Sequence, residues 1–119
     1  MSGIKYQTMK PEQIRSCVER RMAHTDHLMI TILDFDDGPQ AQPDPLHSHP
    51  HEQASYVAEG EILFYMSGEQ TLLGPGDIFI VPSGIPHSIQ LLTQHARLVD
   101  CFTPVREDFL GAATSADAE

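Results

Sequence analysis

The sequence has no tryptophan, two cysteines, and seven lysine and arginine side chains against seventeen aspartates and glutamates. Each scarcity removes a class of protein. Cys17 and Cys101 form neither a CxxC pair nor a dense framework, so a disulfide-stapled scaffold is excluded and both read as small buried hydrophobes kept as thiols. The formal charge of −10 repels phosphate backbones and anionic lipid, so nucleic acid is not an expected partner. No apolar run approaches the roughly 20 residues of a membrane span, and the opening MSGIKYQTMK lacks the apolar centre of a signal peptide. The expectation is a soluble, cytoplasmic protein with no membrane partner.

What is present suits one hydrophobic core: 119 residues, 40% of them hydrophobic. Helical periodicity is scarce after Thr25, whereas short β-branched and aromatic runs recur about every ten residues between Gly, Pro and Asp clusters. That pattern predicts an all-β sandwich or barrel. Strands are expected at Ser16–His24, His27–Phe35, Gln53–Glu59, Glu61–Met66, Gln70–Leu73, Ile78–Val81, Ser88–Leu92 and Ala96–Phe102. Turn chemistry separates them: Thr25-Asp26, Asp36-Asp37-Gly38, Glu59-Gly60, Ser67-Gly68, Gly74-Pro75-Gly76-Asp77 and Pro82-Ser83-Gly84. Residues 38–46, GPQAQPDPL, form the longest irregular stretch. Asp34-Phe35-Asp36-Asp37-Gly38 lacks calcium-loop spacing and reads as a polar turn. Residues 1–110 are expected to form a single domain, and 111–119, GAATSADAE, a flexible C-terminal tail. The strands Glu61–Met66 and Ile78–Val81 are apolar on both faces, with Ile62 to Met66 in one unbroken run, which requires cover on both sides. In so small a domain the second cover is a second copy of the chain, so a homodimer is expected.

Residues 45–53 read PLHSHPHEQ. In an extended strand His47, His49, His51 and Gln53 share a face, but neighbours on it lie about 6.6 Å apart along the chain. Two donors to one transition metal can be at most roughly 4.4 Å apart, so four in a row cannot share an ion. A bend at Pro50, which cannot donate to a ladder, lets Gln53 swing back to His47 and His49 and turns His51 away. A further donor comes from GPGDIFIVPSGIPH, which ends on His87 among Ile85, Pro86 and Ile89, where an imidazole needs a partner. The candidate metal ligands are therefore His47, His49, Gln53 and His87. Read in isolation, the three neighbouring histidines fit a solvated loop and His87 a satisfied core histidine.

The two stretches together resemble the paired motifs of the cupin superfamily. His47-Ser48-His49, Gln53 and Gly60 are similar to G-x5-H-x-H-x3,4-E-x6-G, and Gly76, Pro82, Gly84 and His87 to G-x5-P-x-G-x2-H-x3-N. The resemblance implies a cupin double-stranded β-helix, a jelly-roll-like barrel, and one divalent transition metal per chain. Ala41 stands for the leading Gly, Gln53 for the Glu and Leu91 for the Asn. The Gln53 departure leaves a neutral donor shell and the full double charge of the ion, a stronger Lewis acid held less tightly. Imidazole and amide oxygen suit Zn, Ni, Mn or Fe.

A narrower resemblance rests on HSHPHEQ, on VAEGE at 57–61, on GDIFIVPSGIPH, and on Asp100, Phe102, Pro104, Arg106, Phe109 and Leu110 near the end. These are similar to the small uronate-ketonising cupins of pectin and alginate degradation. That family implies conversion of 4,5-unsaturated monouronates, the lyase products, to linear 4-deoxy-5-keto uronates, with a small anionic sugar as substrate. The residues suit such an isomerase-type enzyme. Alternation puts Leu98, Asp100 and Phe102 on one face; lining a barrel, Asp100 feels burial raising its pKa and a cation lowering it, as suits a proton shuttle. Arg106 is the candidate clamp for the uronate carboxylate, and Phe102 and Tyr56 complete the expected substrate contacts. A cupin dioxygenase would use the same ligands, and a non-catalytic sugar-binding cupin is the third reading.

Overall fold

Alternation decides the architecture. The computed structural model describes residues 3–110, and the expected tail at 111–119 lies outside the described residues. The strands are β1 (Glu12–Arg15), β2 (Val18–His24), β3 (Met29–Phe35), β4 (Glu52–Glu59), β5 (Ile62–Met66), β6 (Glu69–Leu73), β7 (Ile78–Val81), β8 (His87–Leu91) and β9 (Ala96–Thr103). A 3-10 turn at Tyr6–Thr8 precedes them and a short helix, α1 (Glu107–Leu110), follows. In β4 and β9 nearly every second side chain is buried, the pattern of strands with one face on a core.

All pairings are antiparallel. A six-stranded sheet runs β1-β2-β3-β9-β4-β7 and a three-stranded sheet runs β6-β5-β8, and the two pack as the walls of a barrel. The expected Ser16–His24 strand is present as β2, and it forms a hairpin with a strand outside the expected set, β1. Polar Glu12–Arg15 gives no apolar alternation, and its turn uses Cys17 at φ 67° in place of a glycine. Cys17 is exposed there rather than buried. At Gly60 the chain does need glycine: φ is +81°, and a Cβ would stand 2.3 Å from the His95 carbonyl oxygen.

The main core joins both sheets through Val18, Val57, Ile62, Leu91, Ala96 and Leu98, with Phe64 of one sheet stacked on Phe79 of the other at 4.2 Å. A second cluster of Met22, Met29, Phe102 and Val105 closes the opposite end. The candidate site lies between them.

The irregular stretch 38–46 is pinned along β8. Gln40 N donates to Leu91 O at 2.9 Å, its Oε1 accepts from Leu91 N at 2.8 Å, and Asp44 N donates to Ile89 O at 3.0 Å. Its end is thus delivered to β8 in fixed register.

The polar turn is occupied residue by residue. Asp34 accepts from Arg97 at 2.6 Å and Tyr6 at 2.7 Å; burial pushes its pKa up, but these bonds outweigh it and hold the carboxyl below its usual range. Asp37 pairs with Arg15 at 2.7 Å. Among the described residues no helix is long and apolar enough to cross a membrane.

His95 clasps the end of the barrel. Its Nε2 meets Glu59 and its Nδ1 meets Asp36 at 2.9 Å, and hydrogen bonds to Glu59 and then Asp36 raise its pKa. Both nitrogens can donate together only in the imidazolium. Because folding raises this pKa, the clasp contributes fully below about pH 6.5, the free imidazole value, and is lost as pH rises through the folded value. Denaturant titrations should find His95→Ala less stable than the parent at pH 6, with the gap narrowing at pH 9. A gap constant across that range would show that the protonated ring contributes nothing.

Candidate metal centre

Main-chain pairing builds the donor cluster. His47 and His87 form an antiparallel bridge, bonded N to O at 3.0 and 2.9 Å, which brings their ring centroids to 4.3 Å. His49 follows with its carbonyl accepting from Gly84 N at 2.8 Å, so the Pro82-Ser83-Gly84 turn braces the first histidine segment. The chain bends at Pro50 and His51 before β4 begins at Glu52, as the spacing argument requires. One ring nitrogen each of His47, His49 and His87 lies within 4.8 Å of the other two. Gln53, buried at the start of β4, brings Oε1 to 3.1 Å from His49 Nε2.

The tautomers aim these nitrogens inward. His49 Nδ1 donates to the His51 carbonyl at 3.0 Å and His87 Nδ1 to the Ile85 carbonyl at 2.8 Å, so in each neutral ring Nε2 carries the lone pair. His87 Nε2 is buried and has no hydrogen-bond partner among the described residues. His49 Nε2 and Gln53 Oε1 face each other as two acceptors, an arrangement that a cation satisfies and a hydrogen bond between neutral groups does not. Desolvation, then the charge of His49, lower the pKa of His47; burial likewise lowers that of His87, which favours the neutral, ligating form. His51 contributes its carbonyl rather than its ring, which stands edge-on to His49 at 5.7 Å.

These groups open on a cavity of about 210 Å³ lined by His47, Gln53, His87, Asp100, Phe102 and Arg106, among others. Asp100 lies on β9 between Leu98 and Phe102 on the inner face, 7% exposed. Burial pushes its pKa up to about 6, against a hydrogen bond from Ser55 and the charge of Arg106. Phe102 stands edge-on to His49 at 5.8 Å. Arg106 borders the cavity, but its Nε and Nη2 are forked onto Asp108 at 3.1 and 2.8 Å, and its guanidinium lies over the rings of Phe109 and Phe102 at 4.2 and 5.0 Å. Nη1 is the end of the fork that Asp108 does not take.

Tyr56 is not brought to the site. In β4 the inward residues are Gln53, Ser55 and Val57, so the odd-even rule sends Tyr56 to the outer face, 47% exposed. Two residues of the site are missed by the sequence reading: Ser55, which that same rule puts beside Gln53, and Phe109, which meets Phe102 edge-on at 5.8 Å.

Residues 35–102 match the cupin domain family. The chain is 31% identical over 101 residues to the pectin degradation protein KdgF of Dickeya dadantii, covering 83% of this chain and 89% of that protein. Among solved structures it is similar to an RmlC-like cupin from Shewanella frigidimarina, with a TM-score of 0.81, 34% identity, and 92% and 96% of the two chains covered. It is also similar to KdgF from Halomonas sp., with a TM-score of 0.79, 29% identity, and 88% and 96% covered.

The geometry sets an order of metal loss. Elemental analysis of purified variants should find His49→Ala sharply depleted and His51→Ala close to the parent; the reverse order would overturn the ligand assignment.

Proposed function

The chain belongs to the cupin family and, within it, to the family of the pectin degradation protein KdgF, and from that premise we propose that it opens and ketonises 4,5-unsaturated monouronates. The substrates are the monomers left by pectin and alginate lyases, and the products are linear 4-deoxy-5-keto uronates. The observation that carries this reading is the buried Asp100 carboxyl, its pKa raised to about 6, in the same small cavity as His47, His87 and Gln53.

The residues divide the work by chemistry. Asp100 as carboxylate accepts the proton of the anomeric hydroxyl. The C1–O5 bond then breaks, C1 becomes an aldehyde, and O5 leaves with its electron pair as the enolate oxygen on C5. Asp100, now the acid, returns the proton to C4, which yields the C5 ketone and balances the reaction as an isomerisation. Ring nitrogens of His47, His49 and His87 with Gln53 Oε1 would hold one divalent ion, and the chemistry it supplies is electrostatic stabilisation of negative charge on oxygen. The donors are neutral, so they do not compete with an anion. Arg106 offers its free edge to the uronate carboxylate while Asp108 and the two phenylalanine rings hold the guanidinium in place. Phe102 walls the cavity beside Asp100.

The working assembly is a homodimer packed through the outer face of the larger sheet. Two rows across four strands, Ile30–Cys101–Ala54–Ile80 and Ile32–Val99–Tyr56–Ile78, are free of charge. Ile80 and Ile78 are 54% and 60% exposed there. On a chain of net charge −10, an uncharged face of this kind is where two copies can meet by a twofold axis. In sedimentation the parent should run as a dimer and Ile80→Glu as a monomer; a monomeric parent would overturn the assembly.

Activity is read by loss of the absorbance of the C4=C5 double bond conjugated to the carboxylate. Asp100→Asn should lower the rate by at least about 10²-fold with metal content unchanged. Arg106→Ala should act mainly through KM, since a carboxylate clamp binds ground and transition states alike. An Asn variant within a few-fold of the parent would remove Asp100 from the mechanism, and oxygen uptake in step with substrate loss would favour a dioxygenase.

A further inference from the structure

We propose that Ser55 is the positioning residue of the metal centre: its hydroxyl fixes which end of the Gln53 amide faces the histidines, and ties that choice to Asp100. The amide of glutamine has two ends of nearly equal shape, an oxygen that can ligate a metal and an NH2 that cannot. Something must select the oxygen.

Ser55 lies directly across from Asp100 in the β4–β9 register, with both side chains on the inner face. Its Oγ donates to Asp100 Oδ1 at 2.6 Å. A serine hydroxyl has one proton, and here it is committed; what remains for Gln53 is a lone pair. Gln53 Nε2 donates to that lone pair at 2.9 Å, which turns Oε1 towards His49 Nε2 at 3.1 Å. The reversed amide would press its oxygen against a hydroxyl oxygen with no proton to offer. All three residues are buried, at 8%, 3% and 7% exposure for Gln53, Ser55 and Asp100, so water is poorly placed to correct the mismatch. Thr31, on the other flank of Asp100, bonds the Asp100 main-chain oxygen at 3.4 Å and leaves the carboxylate to Ser55.

The chain of donors therefore runs one way, from Gln53 through Ser55 to Asp100. It gives a reason for an amide at position 53: a carboxylate there would be the second to compete for a hydroxyl with a single proton. The Gln53→Glu side chain has no N–H to hold, so in that variant Ser55 loses its positioning task.

This inference rests on the metal reading of the four donors and is independent of the sugar chemistry. It is tested by Co(II) titration, followed by calorimetry and the visible ligand-field bands, of the parent, Ser55→Ala, Gln53→Glu and the double variant. In the parent background, loss of the Ser55 hydroxyl should weaken Co(II) binding by about 10- to 100-fold, as is usual for residues that orient a ligand, with altered band positions. In the Gln53→Glu background the same change should leave affinity within about two-fold. Equal losses in both backgrounds would overturn the proposal, because simple packing acts alike in each, and so would undiminished binding in Ser55→Ala. A parent that takes up no Co(II) would overturn the metal centre and the role of Ser55 with it.

Discussion

The two main-chain hydrogen bonds between His47 and His87, at 3.0 and 2.9 Å, are the constraint on which the site depends. His87 begins a strand of the smaller sheet, and His47 leads through the Pro50 bend into β4 of the larger one. The bridge therefore fastens the two walls of the barrel at the end where they would otherwise part. Side chains that are distant in sequence become neighbours because backbone register, rather than side-chain attraction, sets their spacing. Phe64 on Phe79 performs the same fastening at the other end with apolar contact alone. The cavity is what remains between two different kinds of seam.

Burial gives the polar groups in that cavity their character. In water an imidazole, an amide, a hydroxyl and a carboxyl exchange partners freely; inside the barrel each bond has a direction because no solvent can replace a missing donor. The same desolvation lowers the pKa of His87 and of His47, although His47 is exposed at the cavity, and moves Asp100 towards the protonated form. The acidic excess of the chain does not contradict a pocket for an anion. The aspartates of the 34–38 turn are engaged by Tyr6, Arg97, Arg15 and His95 on the outside, while the histidines and Gln53 bring no negative charge to the inside.

Much of this was legible in the amino-acid sequence, for physical reasons that also mark where legibility stops. The setting of short β-branched and aromatic runs between Gly, Pro and Asp turns identified the strands from β2 to β9, since strands that pack on a core carry that composition directly. It failed at Glu12–Arg15, whose strand is mostly exposed and so carries no apolar rhythm. The meeting of His47, His49, His87 and Gln53 could be expected because ligand distances are short and forbid four residues in a row along a strand, and the structure brings these side chains together. Asp100 could be placed by alternation on β9, and the same rule applied to β4 would have chosen Ser55 and rejected Tyr56. The Arg106–Asp108 fork joins residues two apart and lay within reach of the local sequence; what no local pattern held was the pinning of residues 38–46 along β8, which arises only when the chain returns on itself.

That pinned segment has a consequence for the folded chain in company. The smaller sheet ends on β8, and an open strand edge is a row of N–H and C=O groups ready to template pairing with any other chain. Residues 38–47 occupy that row by bonding Leu91, Ile89 and His87, yet their prolines and irregular backbone keep them from offering a fresh edge of their own. The strip that presents His47 is thus also a selvedge for the sheet: anything that frays the donor cluster unhems the fabric beside it and turns a local loss into a route to aggregation.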